Sequence, residues 1–480
     1  MNIQIIPLAI LIVYIILTVG VANFVLRRRL GAEHYLVAGR ALPVFLVLAI
    51  VLGDWLAGGG TIGVCQRGYN EGIVGWLYPV SIGIGLLFFG LVMAGRYRRL
   101  GAVTVPEVAL RLFDRKTRNL STILIGLAYY LLAVITTVAG GALLSPLLGI
   151  DKWLADLITA LIFIAIIVGG GLHSIAIVNI VHCIVIYFGM LLGLFYSLVL
   201  IGGSVPAGFG MLFSELPPSF WSFQAISPVT WSGEILVVVF GCFAAQAAIT
   251  GIFAAKDAKA ATQGTVIAGA LIIPIGVVFA ILGMCARIYY GSGLPSGLTA
   301  GPAMMLALPP IVAGIALCAF WAAVVSTGPL CLLAAAQVIM RDIYQPNLKP
   351  KASDKKILLY SRALSIILGI VCWLLAMTIY KLLETAFWVF TIRVGIGVLF
   401  LTVTYLGAKY VSEDGAFWGL IAGFIVLIAW TVAGSPYGIH VATPTIVVVF
   451  IASLTISRFR KRKSELSPEV MEALHPMGER

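Results

Sequence analysis

Apolar runs of about 18 residues or more, each long enough to cross a hydrocarbon core about 30 Å thick, recur along nearly the whole of this 480-residue chain. About thirteen can be read, over residues 3–26, 44–65, 72–92, 120–148, 153–168, 175–201, 235–254, 265–286, 304–340, 357–380, 383–406, 415–432 and 441–456. Inside a bilayer the backbone must satisfy its own hydrogen bonds, and separate apolar runs of this length do so as helices. The chain is therefore expected to be an all-α polytopic membrane protein. Its composition, 61% hydrophobic and 10% charged with a mean hydropathy of +1.09, excludes a soluble globular domain.

The basic residues set an orientation. No basic residue precedes the first run, which ends in Arg27-Arg28-Arg29, the reverse of a cleavable signal peptide. It is expected to stay as a span with its N-terminus outside. The loops carrying Arg96 to Arg99, Arg115-Lys116, Lys256 and Lys259, Lys349 to Lys356, and the tail at 458–463 then fall on the cytoplasmic side. Only Arg67, Lys152, Arg287 and Lys381 fall outside, and Arg393 lies within a span. The expected location is the plasma (cytoplasmic) membrane, multi-pass, with a cytoplasmic C-terminus. The net charge of +12 then faces anionic lipid, which removes the case for nucleic acid as a partner. No obligatory protein partner is inferred either.

The seven cysteines and five histidines are scattered without paired or ligand-like spacing, so no metal site other than one for sodium is expected. No phosphate-cradling loop and no nucleophile, base and orienting group appear, which argues against ATP-driven transport and against an enzyme. The longest polar stretches are 202–231, 291–301 and 341–356. The first carries Pro206, Pro217, Pro218 and Pro228 and is expected to be an irregular connector rather than a lid, and the charged tail at 464–480 is expected to be mobile.

Within the second run the chain reads Gly53-Asp54-Trp55-Leu56-Ala57-Gly58-Gly59-Gly60-Thr61. Glycine costs a helix about 1 kcal/mol relative to alanine, and a charge deep in a bilayer at least about 2.5 kcal/mol, so this break marks a working site.

Several segments together resemble the sodium:solute symporter family. They are Tyr35-Leu36-Val37-Ala38-Gly39-Arg40, the glycine break, Thr104-Val105-Pro106-Glu107 before Arg118, and Gly170-Gly171-Leu172. Ala254-Ala255-Lys256-Asp257-Ala258-Lys259-Ala260, Ser326-Thr327, Asp342-Ile343-Tyr344 and Ser361-Arg362 follow in order. The resemblance implies a core of two five-helix repeats of inverted topology whose first helices are broken, with solute and ion bound near the midplane. On that pattern residues 1–30 are an additional helix, 31–202 the first repeat, 203–231 an extracellular loop and 232–410 the second repeat. Residues 411–463 supply two further helices and 464–480 a cytoplasmic tail.

The resemblance further implies sodium as the co-transported ion, held by Gly53 and Leu56 beside the break and by Ala323, Ser326 and Thr327 in the ninth run. The spacing of the last three puts them on one helical face, although hydroxyls at such positions also bond their own backbone. Where many relatives carry a Trp-Thr-Asp-Val-type segment this chain has Ile177-Val178-Asn179-Ile180, without the carboxylate linked to coupling in some members.

For the solute, Asp54 suits a cationic amine or quaternary ammonium, with Trp55 adding a ring face and Gly58 and Gly59 close approach. The run from Trp55 to Gly60 also resembles the family's high-affinity choline branch. Arg393 offers the opposite reading: paired with Asp54 it is structural, whereas unpaired and facing the cavity it suits a carboxylate or amino acid. The leading function is a sodium-coupled symporter importing a small organic solute by alternating access. A proton-coupled carrier using Asp54, or a transporter-like sensor, is the alternative.

Overall fold

In a computed structural model, residues 4–24, 38–348, 354–378 and 382–475 are described. Eleven helices among them are long and apolar enough to cross a membrane, against about thirteen expected. The chain runs through α1 (Ile5–Phe24), a broken α2 (α2a, Val44–Trp55; α2b, Val64–Glu71) and α3 (Leu77–Phe89, continued by Gly90–Ala94 and Gly95–Leu100). Then come α4 (Arg115–Leu148), α5 (Lys152–Gly202) and a broken α6 (α6a, Pro228–Gly241; α6b, Gln246–Phe253). The rest are α7 (Ala258–Tyr290), α8 (Pro310–Val338), α9 (Asp354–Ala376), α10 (Leu382–Leu401), α11 (Glu413–Val432) and α12 (Ala442–Phe459).

The shortfall in spans has two origins. At 12 residues α2a is too short to count alone, and α5 is one 51-residue helical element where two spans are expected. A straight helix of that length would reach about 77 Å, more than twice the hydrocarbon core. The contacts of α5 show where it turns. Gly140 lies against both Thr159 and Val324, and Gly328 against Phe163, so the first arm runs alongside α8 in the same direction. Asn179 meets Gly53 beside Ser326, Gly189 meets Ala319, and Gly193 meets Met305 and Ala316, so the second arm runs the other way.

An inverted pairing of helices organises the core. Ile50 lies against Gly251 and Asp54 against Ala248, while Leu42 bridges to Ala255, so α2a and α6b run antiparallel. The same holds for α3 and α7, through Pro79 with Gly276 and Gly90 with Val266, and for α4 and α8, through Gly126 with Val338 and Gly140 with Val324. Glycines let these pairs approach closely. A Cβ at Gly283 would sit 2.1 Å from the Cys65 carbonyl oxygen and 2.7 Å from the Tyr69 nitrogen, atoms of the α2b backbone that have no room to yield. Gly283→Val is therefore expected to destabilise the protein by at least about 1–3 kcal/mol, read as a lowered unfolding temperature of the purified protein.

Two expectations need correction. The stretch after α5 is not irregular throughout: Val205–Glu215 is a helix, capped by the Ser204 hydroxyl accepting from the Ala207 amide at 3.3 Å, with Pro206 in its first turn, where the missing N–H costs nothing. The tail is not mobile over 468–474 either. Pro468–Leu474 is a helix whose Val470, Ala473 and Leu474 are buried, and Arg96 Nε donates to the Leu474 carbonyl at 2.6 Å. Of the motifs, Tyr35 to Val37 lie outside the described residues, as do Arg27 to Arg29, 349–353 and Lys381.

Candidate functional site

The break in α2 follows from its composition. Trp55 ends α2a, Leu56 leaves it with φ −80° and ψ 35°, and Gly59–Gly63 continues as a wider π-helical turn before α2b. The break in α6 lies at Ala245, with φ −79° and ψ 75°, after the tight turn Cys242–Ala244. Such breaks release backbone groups at mid-membrane, and each must find a partner there. The Tyr97 hydroxyl donates to the Phe243 carbonyl at 2.7 Å. The Asp54 carboxylate accepts from the Ala248 amide at 3.2 Å, so a side chain from the first broken helix caps the exposed N-terminus of α6b. The positive end of that half-helix favours the carboxylate there.

On the other side of α2a the hydroxyls of α8 close in. Ser326 Oγ donates to the Gly53 carbonyl at 2.9 Å and to the Ala323 carbonyl at 3.1 Å. Thr327 Oγ1 donates to Gly53 at 2.7 Å and to the Asp54 carbonyl at 3.2 Å. Gly53, Ala323, Ser326 and Thr327 are thus brought together, all buried, and the hydroxyls reach across to α2a as well as to their own helix. Leu56 stands one turn beyond Gly53, its carbonyl turned off the helical ladder by its dihedral angles. Asn179 of α5 packs on the same carbonyl region: a Cβ at Gly53 would lie 2.4 Å from its Nδ2, an atom buried without a hydrogen-bond partner among the described residues.

Beside this cluster lies a small cavity of about 30 Å³, lined among others by Asp54, Trp55, Gly59, Tyr78, Phe390 and Arg393. Arg393 is 1% exposed and Asp54 8%. No direct ion pair joins them among the described residues. Instead Arg393 Nη1 donates to the Tyr129 hydroxyl at 2.5 Å, its Nε has no partner among the described residues, and its guanidinium lies 4.7–5.5 Å from the ring centres of Phe390, Tyr129 and Trp55. The Trp55 face is thus turned to an arginine. Gly59 borders open space, but a Cβ at Gly58 would meet Ala139 at 2.5 Å, so Gly58 serves packing between α2 and α4 and does not line the cavity.

Of the rings that complete the arginine's surroundings, Phe390 stands one turn before it on the same helix, whereas Tyr129, one of several aromatics in apolar runs, has no local sequence signal. Among the other aromatics, Tyr78 lines the cavity, while Phe243 packs on Phe88 and Phe89, Tyr69 donates to the Gly291 carbonyl, and Trp388 donates to Thr431.

Above the cavity, away from the basic end of the bundle, opens a vestibule of about 550 Å³. Phe387 borders it and stands edge-on to Tyr78 at 5.4 Å, so the two rings separate vestibule from cavity. At its wall Arg67 of α2b forms a two-pronged bond to Glu234 of α6a, at 2.9 and 3.2 Å, and a third to Glu71 at 2.8 Å. Toward the basic end the cavity is closed by the Tyr97 bond and by Gln246, whose Oε1 accepts from the Val105 amide at 2.7 Å.

A profile of the Sodium:solute symporter family matches residues 35–423. Over 93% of its length the chain is 22% identical to the sodium/glucose cotransporter of Vibrio parahaemolyticus, covering 89% of that protein. It is 25% identical to the sodium/pantothenate symporter of Haemophilus influenzae, over 97% of this chain and 98% of the other. It is also 25% identical to the high-affinity choline transporter 1 of Caenorhabditis elegans, over 85% and 72%. Its fold matches a solved Na+-coupled sialic acid symporter in a substrate-bound outward-open state, with a TM-score of 0.83, 18% identity and coverage of 96% of this chain and 99% of that one. The chain belongs to the sodium:solute symporter family and is a multi-pass membrane transporter, not an enzyme, with sodium as its co-transported ion.

Proposed function

We propose that this protein imports a small organic carboxylate together with sodium. The observation that carries the reading is Arg393: a guanidinium buried at the central cavity, without a direct ion pair to Asp54, keeping donors free for a planar two-oxygen acceptor. Asp54 borders the same cavity, and its carboxylate is held by the α6b amide. A cationic solute is less well served, because the Trp55 ring that would cage an ammonium already faces Arg393. Among the relatives, pantothenate and sialic acid are carboxylates, while glucose and choline are not. A second reading, a solute carrying an ammonium as well, is favoured by Asp54 Oδ1, which meets the Cys331 thiol only at 4.0 Å.

Sodium is assigned to the carbonyls of Gly53, Leu56 and Ala323 and the hydroxyls of Ser326 and Thr327, hard neutral oxygens that suit it. On binding, the hydroxyl protons turn away and their lone pairs replace the present bonds to Gly53. The ion then ties α2a to α8, and through Asp54 the order extends to α6b and the solute cavity, which links ion and solute binding. The basic end is assigned to the cytoplasm, with the N-terminus and the vestibule outside. The cavity of about 30 Å³ is too small for an organic solute, so entry requires Tyr78 and Phe387 to part.

The reading is tested by thermal stability of the purified protein in sodium and in potassium against carboxylates, amino acids, amines and sugars, since a ligand of the folded state raises apparent stability. Stabilisation by carboxylates only in sodium is the expected result, and stabilisation by amines alone rejects it. A further outcome concerns the ion: Asn179→Asp places a carboxylate beside Gly53 and is expected to lower half-saturating sodium roughly tenfold, equivalent to about 1.4 kcal/mol. Sodium titration of the same stability signal checks it.

A further inference from the structure

Directly behind the sodium-binding region lies a second concavity, which the transport cycle described above does not use. Phe45, Ala49 and Leu52 of α2a face Ile180, Ile184 and Tyr187 of the second arm of α5 across a groove of about 310 Å³. Both sets recur at three- and four-residue spacings, the pattern by which two helices normally interdigitate. Here they leave a gap, crossed by the Cys183 thiol, which donates to the Ala49 carbonyl at 3.9 Å. The helices touch tightly at one end, where Gly53 meets Asn179, and the groove begins with the very next residues, Leu52 and Ile180.

The groove is almost wholly apolar. The Tyr187 hydroxyl is spent on the Leu271 carbonyl at 2.8 Å, closing the floor. Its rim faces outward: Phe45 is 58% and Ile184 63% exposed, and the same side of α5 continues in exposed Phe188 and Leu191. Ile184, Phe188 and Leu191 belong to the outer surface of a span only one-third buried within the protein, and Phe45 is exposed beside them, so the groove opens sideways into the hydrocarbon of the bilayer, where neither water nor a soluble partner reaches.

We propose that this groove seats one acyl chain of a bilayer phospholipid, and that the chain, wedged between α2a and α5, holds Gly53 against Asn179 and thereby sets sodium affinity. The second clause rests on the sodium assignment above; occupancy of the groove does not. The two are read separately.

Protein reconstituted in phosphatidylcholine carrying a photoactivatable diazirine in its acyl chain is irradiated and the labelled peptides are mapped. Labelling of 45–52 and 180–187 is expected at about fivefold the level on the lipid-facing side of α9 around Ile367 and Leu374. Ile184→Trp, a rim substitution that leaves the helix contacts intact, should bring it down to that level, and Leu48→Ala, which enlarges the groove, should preserve it. Sodium titrations of thermal stability in detergent, with and without added phosphatidylcholine, should show half-saturating sodium falling about threefold with lipid in the unaltered protein and unchanged in Ile184→Trp. Labelling equal to that on α9, or protein-to-protein crosslinks through the groove in place of lipid adducts, overturns the proposal. Labelling with no lipid effect on sodium overturns its second clause, and is distinguished from failure of the sodium assignment by Ser326→Ala combined with Thr327→Ala, whose half-saturating sodium would match that of the unaltered protein only if the assignment were wrong.

Discussion

Arg393→Gln is expected to abolish measurable uptake of the carboxylate solute while leaving the protein folded and still stabilised by sodium. Truncating one partner of a buried charge-assisted pair costs about 2–5 kcal/mol, or roughly thirty- to several-thousandfold in affinity. The substitution also leaves Asp54 without the positive charge that faces it, so some loss of stability is expected alongside. Arg393→Lys separates the two effects: it keeps the charge but loses the fork that reaches Tyr129 and a planar carboxylate together. Stability should return in the lysine variant and uptake should not. Retention of full carboxylate uptake in Arg393→Gln would falsify the solute reading, and the sodium response measured in the same sample shows whether the ion site survived.

The second large effect is expected for Ser326→Ala combined with Thr327→Ala. Each hydroxyl lost from an ion is treated like a hydrogen bond to a charged group, worth about 1.5–3 kcal/mol, so the pair should raise half-saturating sodium a hundredfold or more. Solute binding should weaken at ordinary sodium and recover when sodium is raised, because Asp54, Trp55 and Arg393 are untouched and Thr327 only borders the cavity. Unchanged sodium activation rejects the assigned ligands. Loss of solute binding that sodium fails to restore would mean that the hydroxyls support the fold around Gly53, to which both donate, and not the ion.

The first break was legible in the sequence because glycines and a carboxylate are written into an apolar run. The second was not. Ala244, Ala245, Ala247 and Ala248 are good helix formers, and α6 breaks among them because Tyr97 takes the Phe243 carbonyl and Asp54 takes the Ala248 amide, both contacts distant in sequence. Gly58 and Gly59 are indistinguishable as letters, yet one is pressed on Ala139 and the other borders the cavity. The doubling back of α5 was anticipated as two separate runs, and the helical assignment passes through the turn. The charge of Arg393 within a span was plain, as was Phe390 one turn earlier on the same helix, but Trp55 and Tyr129 come from α2 and α4, which only the tertiary fold brings to it.

The bond from Asp54 to Ala248 has a consequence for how the protein is made. Synthesis runs from the N-terminus, so the segment holding Asp54 enters the membrane some 194 residues before the amide that will cap it exists. Until then the carboxylate must keep water or a proton in place of that amide. Completion of that half therefore waits on the other, and the two halves, expressed as separate polypeptides, should be recovered intact only when both are present in the same cell.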